Sequence, residues 1–472
     1  MNSPHRSSTP LRYASALLIT TLLLGFSLAA AGATPLAQPP GSQETIPPTP
    51  PQDTYRVIGW NDLGMHCLDD TYNTFSILPP YNNLWAQVVR EPAGGGEPQV
   101  VTSGVTVEYS FVDNTYSAGK VNFWTYAQQL FNLPQPLPPN VGLAGHGMSG
   151  PMAVQGNHFK AEGVPITPYT DSQPTVRQPY QLTRMVAKRT ATGEILAETT
   201  VVAPVSDEMN CVNCHHDGGV GGISTGNYRT NILTLHDEEE NTNLMGNRPV
   251  LCARCHASPA LGTPLQPGIP YFSHAMHNKH APEDRTTAAQ AITWLRGTGT
   301  LGKMPVNPND GTNDCYQCHP GVQTACLRDV MSQGGMWCTD CHGDMNDVGN
   351  ENRIPWVDEP RCGDTACHGP QYAENPNTLY RNSTGHGGLY CESCHNSTHA
   401  ILPSREARDN IQTIALQGYA GAITECTVCH GLTVPAGQGP HGMACSLSAD
   451  VNHDRTVNVA DIIATAGAWQ IL

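Results

Sequence analysis

One pentapeptide pattern, two cysteines separated by two residues and followed directly by a histidine, occurs six times in this 472-residue chain. The copies are CVNCH (211–215), CARCH (252–256), CYQCH (315–319), CTDCH (338–342), CESCH (391–395) and CTVCH (426–430). With the cysteine and histidine content of this chain, chance predicts about 0.03 such matches. The repetition therefore reflects a chemical requirement for thiols and an imidazole at this spacing.

The spacing suits covalent attachment of haem. Cysteines three apart lie on one helical turn, so both thiols can form thioethers with the two vinyl groups of one porphyrin. The histidine lies on the same turn and can ligate the iron. The predicted attachment residues are Cys211, Cys214, Cys252, Cys255, Cys315, Cys318, Cys338, Cys341, Cys391, Cys394, Cys426 and Cys429, with His215, His256, His319, His342, His395 and His430 as proximal iron ligands.

Two other uses of cysteine compete with haem. Zinc also binds CxxC pairs, but zinc sites do not require a histidine directly after every second cysteine. A disulfide framework of the kind found in secreted proteins explains neither the fixed spacing nor the histidine. Haem attachment accounts for both features, so we favour it.

A seventh motif, CGDTACH (362–368), has four residues between its cysteines. The second cysteine and the histidine keep their relation, and the two extra residues must bulge the turn. The motif resembles the expanded attachment motif of some multihaem cytochromes, so we predict a seventh haem on Cys362 and Cys367 with His368 as its proximal ligand. Of the 17 cysteines, Cys67, Cys326 and Cys445 remain, and two of these could form a disulfide.

The apolar content of the chain is low for a folded protein. Leu, Ile, Val and Phe make up 89 of 472 residues, and only 34 of the 240 residues from 206 to 445. Such a composition lacks the side chains for an ordinary apolar core. Seven porphyrins, each a large apolar body fixed to the chain, would fill that interior. We therefore expect short helices and loops around closely packed haems in region 206–445.

Each iron also needs a second axial ligand, and the haem region holds eight further histidines. The stretch HAMHNKH (274–280) contains three of them at i, i+3 and i+6, so adjacent members share a helix face and can reach neighbouring irons. A zinc site and a plain surface patch are the alternatives for this stretch, and Met443 is an alternative ligand beside His441. The predicted distal ligands are His216, His236, His277, His280, His386, His399 and His441, with His274 in reserve.

The N-terminus indicates export. Basic residues precede an apolar run at 14–28, and small residues follow up to Ala33, as in a secretory signal peptide at 1–33. A Pro-rich linker follows at 34–53, and no other segment approaches transmembrane length. The formal charge of −16 argues against nucleic acid as a partner and favours basic proteins. We expect a protein at the cell surface, outside the cell or in the periplasm.

Two further regions flank the haem motifs. Residues 54–205 include VTVEYSF (105–111), which alternates apolar and polar residues, and two strand-like runs around ATGE (191–194), so we predict a β-rich domain, a small sandwich. The segment 446–472 resembles a single dockerin-type calcium repeat, with arginine and aspartate at two positions where glycine and glutamate are usual. Its predicted calcium ligands are Asp450, Asn452, Asp454, Thr456, Asn458 and Asp461.

Taken together, the motifs of region 206–445 resemble the multihaem c-type cytochromes that carry electrons through or beyond the bacterial envelope. The resemblance implies an electron conduit of low-potential haems with two histidine ligands each, a redox partner protein or extracellular acceptor, and in some members self-association into filaments. Because two strong ligands saturate the iron, this ligation favours electron transfer over catalysis.

Two alternatives of other classes stay open. A multihaem reductase of nitrogen or sulfur oxyanions would need one iron with an open side, which the reserve of histidines disfavours. A structural protein stapled by haems would not need motifs as densely spaced as these.

Overall fold

The computed structural model describes residues 52–93, 96–280, 315–321, 323–431 and 439–442. The predicted signal peptide, most of the Pro-rich linker, Cys445 and the six predicted calcium ligands lie outside these residues, and those predictions stay predictions. From residue 52 onward, the described residues belong to one compact unit. None of the helices in these ranges combines the length and the apolar character needed to cross a membrane.

The first half of the described chain is rich in strands. Five strands form one sheet in the order β1-β4-β9-β8, with β5 added to β4, and five form a second sheet in the order β2-β11-β10-β6-β7. A short parallel pair, β12 with β3, forms a third. The strands are β1 (Thr54–Asn61), β2 (His66–Cys67), β3 (Phe75–Ser76), β4 (Asn82–Glu91), β5 (Gln99–Val100), β6 (Val105–Phe111), β7 (Ser149–Pro151), β8 (Ala153–Gln155), β9 (His158–Val164), β10 (Tyr180–Arg189), β11 (Ile195–Ser206) and β12 (Val250–Leu251).

Local sequence explains the longest strands. β6 buries every second residue, from Val105 to Phe111, as its alternating pattern predicts. β10 and β11 pair antiparallel around the predicted turn, where the amide of Gly193 donates to the carbonyl of Arg189 at 2.8 Å. Gly193 has φ of 75°, a conformation that glycine adopts without strain. Both strand predictions are confirmed.

The two large sheets contribute to one apolar core. Val57 and Leu84 come from the first sheet, and Val107 and Met185 come from the second. Gly59 lies where β1 passes closest to β10, and a Cβ atom there would collide with the thioether of Met185. The prediction of a β-rich N-terminal region is thus confirmed at this coarse level, while the sandwich stays a prediction.

Beyond β11, helices are short and loops dominate, as predicted for this region. Several helices are single turns that carry a cysteine–histidine motif. The α-helices are α1 (Phe123–Phe131), α2 (Val212–His215), α3 (Tyr228–Glu240), α4 (Phe272–Lys279), α5 (Val330–Gln333), α6 (Cys338–His342), α7 (Met345–Val348), α8 (Cys391–His395), α9 (Ile411–Gln417) and α10 (Thr427–His430). The 3-10 turns are Val220–Gly222, Met245–Asn247, Cys252–Arg254, Pro259–Leu261, Cys315–Gln317, Pro370–Tyr372, Tyr380–Asn382, His386–Gly388, Ala407–Asn410 and Pro440–Gly442.

Buried polar contacts fix the helical region against the strands. The Arg328 guanidinium, which is 1% exposed, donates to Asp409 at 2.6 and 3.1 Å and to the carbonyl of Gly64 at 2.7 Å. The side-chain amide of Gln412 on α9 exchanges two hydrogen bonds with the backbone of Gly59, at 2.8 and 2.9 Å. Because these groups are buried, a shift of one region against the other would leave polar groups without hydrogen-bond partners. The contacts therefore fix the relative position of the two regions.

Candidate metal centres formed by histidine pairs

The cysteine–histidine motifs share one backbone geometry. In the regular motifs, the histidine amide donates to the carbonyl of the first cysteine, for example His215 to Cys211 at 2.9 Å and His319 to Cys315 at 2.9 Å. The helical turn therefore brings two thiols and an imidazole to neighbouring positions, as the spacing predicts.

The longer seventh motif reaches the same contact. The amide of His368 donates to the carbonyl of Cys362 at 3.2 Å, although two more residues lie between them than in the other motifs. The extra residues form a turn in which Cys367 donates to Asp364 at 2.9 Å. The bulge thus leaves the first cysteine next to the histidine, and this local geometry agrees with the predicted attachment role.

Six of the seven predicted proximal histidines lie opposite a predicted distal histidine from elsewhere in the chain. The ring centres of every pair are close to 6 Å apart. The pairs are His215–His280 at 6.3 Å, His256–His236 at 6.3 Å, His319–His277 at 6.2 Å, His342–His399 at 6.0 Å, His430–His386 at 6.0 Å and His395–His441 at 5.9 Å.

This separation would admit one metal ion between two imidazoles, and it also lies within the range of edge-to-face ring pairs. A metal–nitrogen bond to imidazole is about 2.0 Å long and the ring centre lies about 1.2 Å behind the nitrogen, so two opposed ligands have ring centres about 6.4 Å apart. Direct stacking would bring the centres closer; His158, for comparison, stacks on Trp85 at 4.3 Å. The chemistry of the donors and their spacing therefore fit an iron between each pair.

Hydrogen bonds select the ligands within HAMHNKH. His277 donates through Nδ1 to the carbonyl of Ser273 at 2.7 Å, and His280 donates through Nδ1 to the carbonyl of Met276 at 2.7 Å. Both rings thus keep the Nε2 lone pair for a metal. His274 instead uses Nε2 on the carbonyl of Arg353 at 2.7 Å and is buried. Helix α4 and its C-cap residue His280 therefore present two histidines to two different partner rings, while His274 binds a backbone carbonyl.

Burial keeps several paired imidazoles neutral, as metal ligation requires. Desolvation, followed by the nearby His280 and His216, lowers the pKa of His215 to about 4. Desolvation, followed by the neighbouring His277, likewise lowers the pKa of His319 to about 4. At neutral pH both rings therefore hold a free lone pair rather than a second proton.

The attachment motifs follow one another through the molecule, beginning with the second motif in the sequence. Helix α3 links the 252–256 and 211–215 motifs, because His236 faces His256 while Asn231 donates to the carbonyl of His215 at 2.8 Å. The 211–215 and 315–319 motifs meet where Cys214 packs against Tyr316.

The series continues from the 315–319 motif. The thiol of Cys315 is hydrogen-bonded to that of Cys338, which raises the pKa of Cys338. Burial raises the pKa of Cys341 most, and the nearby Cys367 raises it further. The hydrogen bond joins the 338–342 motif to the 315–319 motif, and the electrostatic influence of Cys367 indicates that the 362–368 motif is nearby.

Ring contacts and shared packing complete the series. His368, Tyr372, His441 and His395 contact one another in that order, with ring centres 6.2, 4.9 and 5.9 Å apart, and join the 362–368 and 391–395 motifs. Cys394 and Cys429 pack against one apolar cluster that includes Leu389. The spatial order is therefore 252–256, 211–215, 315–319, 338–342, 362–368, 391–395 and 426–430.

His368 stands apart from the six pairs. Among the residues that the structure describes, no second histidine ring lies opposite His368, and its ring neighbour is Tyr372. The Nδ1 atom of His216 lies 3.0 Å from the carbonyl of Asp217. Sequence reasoning missed Tyr372, although it follows His368 by four residues as His399 follows His395. This shared spacing of four residues is the sequence feature that could have indicated Tyr372.

The remaining cysteines also have defined surroundings. Cys426 is disulfide-bonded, so at this sulfur the disulfide and a thioether are alternatives, whereas Cys429 is free. Cys67 and Cys326 are free and near each other, and burial followed by Cys326 raises the pKa of Cys67. The predicted attachment through Cys426 stays a prediction.

The zinc alternative for HAMHNKH has no support in the described ranges. Within them, no three His, Cys, Asp or Glu side chains converge to hold a metal ion. The three histidines instead contact His319, His215 and the carbonyl of Arg353. A structural zinc site needs four ligands around one point.

Comparison of the chain with protein-family models, curated proteins and solved structures finds no match. The assignment of these sites therefore rests on the motifs and on the geometry given above.

Proposed function

We propose that this protein is an exported seven-haem c-type cytochrome that relays electrons along a continuous series of sites. The observation that carries the proposal is the set of six opposed histidine pairs, each joining a motif histidine to a remote one at 5.9–6.3 Å. Bound haem supplies reversible one-electron chemistry, with a potential tuned by its axial ligands and surroundings. Two histidine ligands leave no open coordination position, which favours electron transfer over catalysis.

The residues have separate tasks in this proposal. The cysteines of each motif hold the porphyrin covalently, and the paired imidazoles fix the iron from both sides. Backbone carbonyls orient the rings, as those of Ser273 and Met276 do for His277 and His280. Such second contacts fix the tautomer and the ring direction of a metal ligand.

The continuity of the motif series supports a relay rather than isolated structural haems. Consecutive motifs are joined by direct side-chain contacts or by single bridging residues such as Tyr372 and residues of helix α3. A protein that used haem only to staple a poor core would not need this arrangement. The strand-rich region, which we propose to be a sandwich, and the calcium repeat would serve docking or surface attachment.

The partners follow from charge and export. We propose a basic redox protein or an extracellular acceptor as the electron-transfer partner, because the chain carries a formal charge of −16. Self-association into a filament and binding of one calcium ion are also part of the proposal.

The test is the intact mass of the mature protein made in a host that attaches haem c, together with its reduced absorption spectrum. The proposal predicts the mass of seven haems and the spectrum of low-spin c-type haem. The double variant Cys362→Ser, Cys367→Ser should lose one haem and keep six. A product that carries no haem, or that carries zinc in its place, would refute the proposal.

A further inference from the structure

One proximal histidine differs from the other six. Among the described residues, His368 has no histidine ring opposite it, whereas each of the other six has one within 6.3 Å. Its motif is also the only one of the seven with four residues between the cysteines. Two independent features, the sequence of the motif and the surroundings of its histidine, thus mark the same site.

Among the described residues, the ring beside His368 is a phenol rather than an imidazole. The ring of Tyr372 lies 6.2 Å from that of His368 at an interplanar angle of 66°. The turn Pro370–Tyr372 positions it, with the Tyr372 amide donating to Gly369 at 3.1 Å, and the ring packs 4.9 Å from His441. Since His441 faces His395, the nearest distal histidine is already engaged at the neighbouring site.

We propose that the iron held by His368 is the ligand-accessible centre of the chain. It would bind small molecules with a lone-pair donor, such as cyanide, nitric oxide or hydroxylamine, in the position that a distal histidine fills at the other six sites. This inference rests on the proposed function, since it requires haem at the motif. An iron with one strong protein ligand takes up such molecules, whereas an iron with two histidines does not do so readily.

Accessibility supports the proposal. Tyr372 is 44% exposed and His368 is exposed as well, so small solutes can reach this site. The site lies inside the motif series rather than at its end, so electrons could reach a bound ligand from both directions.

The experiment is an optical titration of the oxidised full chain with cyanide at neutral pH, at two protein concentrations. We expect one cyanide per seven haems at both concentrations. The variant Tyr372→Phe should also bind one, with a changed dissociation constant. The matched control is His236→Ala, which removes a distal histidine from helix α3 and should bind two.

Three results would overturn the inference. The first is a wild-type protein that binds no cyanide. The second is binding of one cyanide only when the protein is dilute, which would mean that a second copy supplies the ligand. The third is a site gained only in Tyr372→Phe, which would make Tyr372 itself the ligand. In each of these cases, an intact protein mass that includes seven haems would still support the proposed relay. A chain without haem would instead defeat the proposed function.

Discussion

At the scale of single residues, the ring nitrogen that carries the hydrogen bond distinguishes His277 from His274. His277 and His274 lie on the same short helix, yet one uses Nδ1 on a backbone carbonyl and the other uses Nε2. The sequence alone suggests a shared role for both, because their spacing places them on one helix face. Only the surroundings, supplied by Ser273 and Arg353, distinguish them.

Exchanging each of these two histidines for alanine should therefore have different effects. His277→Ala should open the iron at His319, raising the cyanide bound per chain by one. His274→Ala should leave the bound cyanide unchanged and lower the free energy of unfolding by about 1–3 kcal/mol, since a buried hydrogen bond is lost. Equal effects of the two variants on cyanide binding would contradict the assignment.

A buried histidine outside the haem motifs predicts pH dependence. Burial, followed by the charge of Lys160, lowers the pKa of His158 to about 4 from an ordinary value of 6.5. The unfolded state then binds more protons than the folded state between these values, so stability falls as the pH falls through this window. Urea unfolding at pH 7 and pH 5 should show a loss of about 2 kcal/mol from this group.

The variant His158→Phe provides the comparison for that measurement. It keeps an aromatic ring against Trp85, on which His158 stacks at 4.3 Å, and it removes the titrating group. We expect its stability to fall less than that of the wild type between pH 7 and pH 5. The same fall in both proteins would show that His158 takes no part.

At the scale of elements, the turns are encoded locally and their pairing is not. The motif turns, the strand β6 and the hairpin of β10 and β11 follow from spacing, alternation and a turn glycine. The partners of the motif histidines could not be derived, because His399 follows one motif closely and faces the histidine of another. Such pairing depends on long-range packing, which the periodicity of a short sequence segment does not reveal.

The contact between the helical region and the strands makes a stability prediction. Arg328 and Asp409 form a buried ion pair, with both side chains 1% exposed. Removing one partner leaves the other charge buried, so Arg328→Met should lower the free energy of unfolding by about 3–5 kcal/mol in chemical denaturation.

An exposed ion pair serves as the control for that variant. Arg184 and Glu198 pair on the surface of β10 and β11, with side chains 44% and 55% exposed. Arg184→Met should therefore change the stability by less than about 1 kcal/mol. If both arginine variants cost the same, the buried contact would not be what fixes the two regions together.

At the scale of the whole molecule, the order of the motifs in space differs from their order in the sequence. The 252–256 motif lies at one end and the 211–215 motif lies second. Helix α3 joins these two motifs, because it also contacts the 211–215 motif and its His236 faces His256. Composition predicted dense packing of the motifs, but it contained no information about this order. If the motifs form a relay, a changed potential at a central site should slow electron transfer more than the same change at an end site.

Replacing a distal histidine with methionine tests this consequence, since Met/His ligation raises the potential of a haem. His277→Met alters a central site and His236→Met alters the terminal one. A central site of raised potential traps electrons, because the equilibrium constant for passing an electron to the next site falls about tenfold for each 59 mV. Stopped-flow reduction of the chain in solution should show a larger slowing for the central variant; equal rates would argue against a linear relay.

The most direct test of the account is low-temperature EPR of the oxidised mature protein, with low-spin and high-spin ferric signals integrated per haem. The histidine pairs predict that six of seven irons are low-spin with two imidazole ligands, and that one is high-spin. Fewer than six low-spin irons would contradict the assignment of the pairs as axial ligands. Seven low-spin irons would uphold the relay and remove only the open site at His368.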